Sequence, residues 1–173
     1  MRKIILGVAV SLDGFIEGPN GEFDWCFNDQ DYGMSDFFKR IDAIFIGRKS
    51  YEVAKQMEGQ NNPLTGVKTY VFSNTITKLD GKDEVLVHGK DLERVVDKIR
   101  NSPGKDIWLF GGAVLTTEFM NRNLIDEYWL AVHPIVLGTG KPLFQHIASR
   151  KSLSLMQSKV YDTGLVSLTY SPT

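Results

Sequence analysis

The sequence predicts an α/β fold with a central, mixed and mostly parallel sheet, helices on both faces and an antiparallel hairpin at the C-terminal end. Over residues 3–121, short apolar runs alternate with helical patterns, which is typical of parallel strands joined by helices. Later strand-like runs follow one another directly, and the last two are joined by Asp162-Thr163-Gly164, a turn that favours a hairpin. The length of 173 residues and the absence of a linker or repeat predict one domain over residues 1–173.

Each element has its own signal in the sequence. Apolar runs predict strands over residues 3–10, 43–46, 68–72, 84–87, 106–110, 125–137, 153–161 and 165–170. Helices are expected over residues 35–41, 49–57, 91–100 and 113–120, and the third has apolar residues at positions 92, 95, 96 and 99, on one helical face. Residues 11–32 and 58–67 lack a regular pattern, and long loops of this kind often bind ligands.

Composition argues against several classes of partner and site. Twenty basic and 21 acidic residues give a net charge of -1, so no general field attracts a nucleic acid or an anionic membrane. No run approaches the roughly 20 apolar residues of a membrane helix, and we expect a cytoplasmic protein. The single Cys26 cannot form an internal disulfide, and His88, His133 and His146 lack metal-ligand spacing, so no metal site is expected.

The pair Gly111-Gly112 lies between a predicted buried strand and a predicted helix. A helix start exposes free backbone N–H groups and the positive end of the helix dipole, and a glycine lets an anion approach the backbone. A phosphate site is one reading of this pair, and a tight turn between strand and helix is the other.

Two further strand ends have residues suited to binding an anion. One continues as Gly47-Arg48-Lys49-Ser50 and the other as Ser73-Asn74-Thr75. Open α/β sheets bind ligands at the carboxyl ends of their strands, where three such ends would meet. Each segment is also compatible with a solvated turn, but together they indicate a dinucleotide.

The order of these pieces resembles the dihydrofolate reductase-like superfamily, and within it the reductase domain of riboflavin biosynthesis. The motifs that carry the resemblance are VSLDGFI (10–16), IGRKSYE (46–52), FSN (72–74), FGGA (110–113), and LIDE (124–127) leading to PIVLG (134–138). The resemblance covers nearly the whole chain and implies a three-layer dihydrofolate reductase-like fold. It also implies an NADPH-dependent oxidoreductase that transfers a hydride to a small planar heterocyclic or carbonyl substrate. A pyrimidine or pterin derivative would fit, as in the 5-amino-6-(5-phosphoribosylamino)uracil reductase of riboflavin biosynthesis.

The resemblance implies which residues bind NADPH. The adenosine side and the diphosphate would contact Gly47, Arg48, Lys49 and Ser50 at the start of the second helix, and the diphosphate would also contact Gly111, Gly112, Ala113 and Val114. The 2′-phosphate would contact Ser73 and Asn74. The nicotinamide would lie at the end of the first strand, against Ala9 and Ile16. A cis peptide between Gly111 and Gly112 is implied as well.

The chain departs from dihydrofolate reductases at the proton donor. Those enzymes have a carboxylate on the first helix where this chain has Met34, and a thioether cannot donate the proton. The candidate catalytic residues are therefore Asp31 or Asp36, if the helix is shifted, and Asp13 in the loop after the first strand. Met34 and Trp25 are the expected substrate contacts.

Several alternatives remain open from the sequence. Lys141, Arg150 and Lys151 are candidates to hold a substrate phosphate, and each is also compatible with a solvated surface. Besides the reductase, the sequence allows a catalytically inactive nucleotide-binding protein of the same fold, or a true dihydrofolate reductase with a displaced acid. The C-terminal hairpin has an apolar face through which two copies could pair as a homodimer.

Overall fold

The computed structural model describes residues 1–57 and 62–173, and these ranges contain ten strands and four α-helices. The predicted loop over residues 58–67 lies partly outside the described residues, since 58–61 are not among them. The elements are β1 (Ile4–Ser11), β2 (Phe15–Glu17), α1 (Met34–Arg40), β3 (Ile41–Gly47), α2 (Arg48–Gln56), β4 (Lys68–Phe72), β5 (Glu84–Val87), α3 (Leu92–Arg100), β6 (Asp106–Gly111), α4 (Ala113–Asn121), β7 (Glu127–His133), β8 (Lys141–Pro142), β9 (Leu153–Val160) and β10 (Val166–Pro172).

Eight strands form one sheet in the order β5-β4-β3-β6-β1-β7-β10-β9. The six strands from β5 to β7 are parallel, whereas β10 is antiparallel to both β7 and β9. The turn between β9 and β10 has Gly164 at φ 84°, and the Tyr161 N–H donates to the Leu165 carbonyl at 2.9 Å. The mixed, mostly parallel sheet with a C-terminal antiparallel hairpin is thereby confirmed.

The helices cover both faces of this sheet. Successive side chains of a strand point to opposite faces, so each strand can pack against helices on both sides. On β3, Phe45 packs in a cluster with Phe119 of α4 and with apolar residues of α3. The neighbouring Ile44 packs in a second cluster with Phe37 of α1 and Tyr51 of α2. The two clusters make three layers, as the sequence predicts.

Two differences from the sequence prediction are larger than a shift of one or two residues in the bounds of an element. The segment over residues 11–32 contains β2, which pairs antiparallel with β8 in a small separate sheet, so the expectation of no regular structure there is wrong at β2. The predicted strand over 125–137 is shorter and ends at His133, because Pro134 has no N–H to continue the hydrogen-bond ladder. No helix within the described ranges is both long and apolar enough to cross a membrane.

Candidate active site

The candidate site begins where β1 and β6 separate. These strands pair only from Ile4 to Leu6, while β1 continues beside β7 as far as Ser11. Beyond Leu6, the Gly7 carbonyl instead accepts a hydrogen bond from Trp108 Nε1 at 2.8 Å. Because successive residues of a strand direct their backbone groups to opposite sides, Ala9 presents its N–H and carbonyl to the same gap as Gly7. The gap is a crevice with a floor of main chain.

A cavity of about 570 Å³, here called the helix-start cavity, lies at the carboxyl ends of β3, β4 and β6. Two helices begin at its wall, α2 after Gly47 and α4 after Gly112, and within the described part of the chain neither N-terminus is capped by a side chain. The first N–H groups of both helices therefore lack side-chain acceptors. Its predicted lining residues are Gly47, Arg48, Lys49, Ser50, Ser73, Asn74, Gly112, Ala113 and Val114.

Several polar side chains of this cavity already form hydrogen bonds or ion contacts within the protein. Ser73 Oγ accepts hydrogen bonds from the N–H groups of Thr75 and Ile76, at 3.1 and 3.0 Å, so its remaining role toward a ligand is as a donor. Asn74 Oδ1 accepts from the Gly89 N–H at 2.8 Å, which leaves the side-chain NH₂ to donate. Arg48 lies 3.8 Å from Glu52 on the same helix.

A second cavity of about 550 Å³, here called the central cavity, lies on the Gly7–Ala9 floor. Its walls are mostly apolar and include Ile16, Phe23, Val53, Met57, Trp108 and Phe110. Four residues line this cavity and the helix-start cavity alike: Lys49, Ser50, Gly112 and Lys141. The two cavities therefore share a wall.

A third cavity of about 340 Å³, the side cavity, lies across the same floor toward β7 and contains Met34 and Asp31 in its wall. The Asp31 carboxylate accepts hydrogen bonds from the Ser35 hydroxyl and N–H, at 2.6 and 2.9 Å, and from the Gly33 N–H at 3.1 Å. The Ser35 bonds lower the pKa of Asp31, which favours the ionised form of this carboxylate. Its catalytic role stays an untested prediction.

His133 closes the far side of the side cavity and is buried. Its Nδ1 lies 3.0 Å from the Ala131 carbonyl, and its Nε2 accepts the Phe27 N–H at 3.1 Å. This pair of contacts requires the neutral ring with its proton on Nδ1. Burial lowers the pKa of His133, which favours the same neutral form.

Among the described residues, the predicted diphosphate contact Gly111 is buried and lines none of the three cavities, and its role stays an untested prediction. Three predicted catalytic or substrate-contact residues, Asp13, Asp36 and Trp25, line none of them either. The Asp13 carboxylate accepts the Leu137 and Gly138 N–H groups at 3.1 and 2.8 Å, and the Ser11 hydroxyl together with these bonds lowers its pKa. Asp36 is exposed and pairs with Lys39 at 2.8 Å, and Trp25 packs edge-on against His133. Their catalytic and substrate-binding roles stay untested predictions without support from position.

Comparison with known proteins gives the family. The model of the RibD C-terminal domain matches residues 2–167. The chain belongs to the RibD C-terminal domain family. Bacillus subtilis (strain 168) YyaP, described as an uncharacterized protein, is 44% identical over 98% of this chain and 94% of its own length.

Solved structures agree with the RibD C-terminal domain assignment. A Shewanella sp. PV-4 protein, described as a candidate riboflavin biosynthesis protein, has a TM-score of 0.82 and 29% identity over 100% of this chain and 99% of its own. Enterococcus faecalis dihydrofolate reductase, complexed with NADP(H) and RAB-propyl, has a TM-score of 0.71 and 15% identity over 99% of this chain and 96% of its own. The dihydrofolate reductase-like fold is thereby confirmed, and the Gly111-Gly112 peptide is cis, as the resemblance implies.

The RibD C-terminal domain of this chain also places residues in the site that the sequence analysis does not assign there. They are apolar residues of the central cavity together with Trp129 and His133 of the side cavity: Val53, Met57, Trp108, Phe110, Trp129 and His133. The apolar members resemble core residues by type, and His133 stands alone in an apolar strand, so the sequence has no local pattern that marks them as site residues. Within the described ranges, no group of three or more His, Cys, Asp or Glu residues is arranged to hold a metal ion.

Proposed function

We propose that this protein is an NADPH-dependent reductase that transfers a hydride to a small planar heterocyclic or carbonyl substrate, such as a pyrimidine derivative of riboflavin biosynthesis. The family and its structural neighbours support a reductase-type role. The observation that carries the finer proposal is the shared wall, where two uncapped helix starts adjoin an apolar crevice with a main-chain floor. This arrangement suits a ligand with a doubly charged centre and an apolar, planar end.

The fit to NADPH is supported by the shape and charge of this wall. A Cβ on Gly112 would lie 2.9 Å from Ser50 Oγ, so the passage between the two cavities is narrow enough to favour glycine. Cavities of about 570 and 550 Å³ are each large enough for half of a dinucleotide. Arg48 and Lys49 would supply positive charge on the adenosine side.

The protein's part in the reaction is to bind, orient and exclude water. When bound, the reduced nicotinamide supplies the hydride. The backbone groups of Ala9 would bind its carboxamide, and Ile16 with the aromatic walls of the central cavity would keep water from the ring. The Asp31 carboxylate accepts hydrogen bonds from Gly33 and Ser35, and the Ser35 bonds lower its pKa, which makes it a weaker candidate for the proton donor that dihydrofolate reduction needs. This observation favours the proposal over a true dihydrofolate reductase.

The proposal also includes a cytoplasmic location and a homodimer. Strand β9 lies at the edge of the sheet, and its Leu155, Met156 and Val160 are exposed. An exposed apolar edge strand is suited to pairing with a second copy. Size-exclusion chromatography with light scattering would give the mass of a dimer if the proposal holds, and that of one chain if it does not.

Titration with NADPH and NADH, followed by quenching of tryptophan fluorescence, tests the cofactor, since Trp108 lines the central cavity. We expect preferential NADPH binding that weakens about tenfold in Arg48→Ala, a loss of about 1.4 kcal/mol. Arg94→Ala is the matched control, because Arg94 is also an exposed helical arginine paired with a nearby acid, Asp91, but lies outside the cavity lining. No binding of either nucleotide would contradict the proposal.

Turnover is tested separately by the loss of NADPH absorbance with candidate substrates. A ribosylated aminopyrimidine substrate should oxidise NADPH, and dihydrofolate should not. Tight NADPH binding without turnover on any planar heterocycle would favour the inactive nucleotide-binding alternative. Turnover with dihydrofolate would instead favour a true dihydrofolate reductase.

A further inference from the structure

An ion pair spans the small sheet that lies beside the shared wall. Lys141 of β8 contacts the Glu17 carboxylate of β2 through Nζ and Oε1, with 36% and 27% of the two side chains exposed. The strands also pair through their backbones, and the Leu143 N–H donates to the Gly14 carbonyl at 2.9 Å. The small sheet therefore has support besides the ion pair.

The two partners differ in their position relative to the cavities. Lys141 lines both the helix-start and the central cavity, whereas Glu17 lines the central cavity. Lys49, which lines both cavities as well, comes from α2, so the shared wall has cations from two separate elements. Under the proposed function, on which this inference rests, the diphosphate of the cofactor crosses this wall.

We propose that Lys141 binds the cofactor diphosphate and that Glu17 competes with the diphosphate for the Lys141 ammonium. A carboxylate beside the passage neutralises Lys141 and repels the negative diphosphate. Cofactor binding therefore replaces a Glu17 contact by a diphosphate contact at the same ammonium. Glu17 lowers cofactor affinity, and Lys141 raises it.

The opposite signs of these two effects make the proposal testable. NADPH affinity is measured by the same titration at two salt concentrations for the wild type and for Lys141→Gln, Lys141→Arg and Glu17→Gln. We expect Lys141→Gln to weaken binding about five- to tenfold with a smaller salt dependence, Lys141→Arg to restore most of it, and Glu17→Gln to tighten it about threefold. Lys78→Gln is the control, because Lys78 also lies beside a carboxylate, that of Asp80, but is outside the cavity lining.

Each other result overturns the inference in a recognisable way. If the pair merely holds β2 against β8, both Lys141→Gln and Glu17→Gln weaken binding to a similar degree. If Lys141 faces a substrate phosphate, Lys141→Gln leaves NADPH affinity unchanged. Thermal unfolding of each variant identifies a general loss of structure, and Lys141→Arg then decides whether charge at this position matters. Failure of the wild type to bind NADPH refutes the proposed function itself, whereas binding that ignores Lys141 refutes the inference alone.

Discussion

The loop before β8 contains two glycines with positive φ whose surroundings differ sharply. Gly138 has φ 72° and open space where a Cβ would lie. Gly140 has φ 148°, and a Cβ there would lie 2.2 Å from the Glu17 carbonyl oxygen. This distance is shorter than the 3.0 Å that Cβ atoms keep from other heavy atoms. Gly140→Ala thus forces β2 and β8 apart, whereas Gly138→Ala changes the conformational preference of the backbone without a clash.

The two substitutions should differ in stability by the cost of that clash. Positive φ at a residue with a Cβ costs about 1–2 kcal/mol, and Gly138→Ala has this cost alone. Gly140→Ala adds an overpacking cost of about 1–3 kcal/mol. The strand pairing of the eight-stranded sheet stays intact, since β2 and β8 belong to a separate two-stranded sheet.

Urea unfolding and NADPH titration of both variants give the comparison. Gly140→Ala should unfold at lower urea than Gly138→Ala and bind NADPH more weakly, because the β2–β8 contact that holds Lys141 beside the shared wall is displaced. Equal stability and equal NADPH affinity of the two variants would refute the steric argument and the position assigned to the small sheet.

Three further substitutions test the core and the buried polar groups. Phe119→Ala removes a fully buried ring from the cluster around Phe45 and should lower the free energy of unfolding by about 3–5 kcal/mol, measured in urea. Burial lowers the pKa of His133 below 6.5, so the unfolded chain binds the proton more readily than the folded protein does. The free energy of unfolding should therefore fall as the pH drops below about 6.5. In His133→Gln this fall should be shallower, because the buried titrating group is absent. Tyr51→Phe removes the 2.8 Å hydrogen bond to Glu84 and should cost about 1 kcal/mol in thermal or urea unfolding, and no loss would mean that water replaces it.

The sequence predicts the fold well where local pattern and tertiary environment agree. The bounds of β4 and β5 match the predicted residues 68–72 and 84–87, because each strand is a mostly apolar run bounded by polar turn residues. Strands β2 and β8 have three and two residues, too few for a periodicity, and they form because loops far apart in the chain meet beside the crevice.

The site divides in a similar way. Glycines, cationic side chains and hydroxyls at strand ends are recognisable in the sequence as groups that can bind an anion. The structure brings three of them, Gly47, Arg48 and Gly112, to one cavity. Val53 and Met57 have no such signal, since their place in the central cavity depends on how α2 packs against the sheet. Asp13 shows the reverse case, because a conspicuous carboxylate in a loop binds backbone N–H groups of another loop.

The separation of β1 from β6 has a consequence for how this scaffold can diversify. A ligand that lies on residues 7–9 meets peptide groups, which every amino acid except proline presents in the same form. Under the proposed function, substitutions in the walls around this strand can suit a new substrate while the backbone contacts to the cofactor persist. Gly7 itself is an exception, since a Cβ there would lie 2.9 Å from Trp108 Nε1. The cofactor would then be recognised mainly through backbone groups, which most substitutions leave unchanged, whereas the substrate would be recognised through side chains, which substitutions alter.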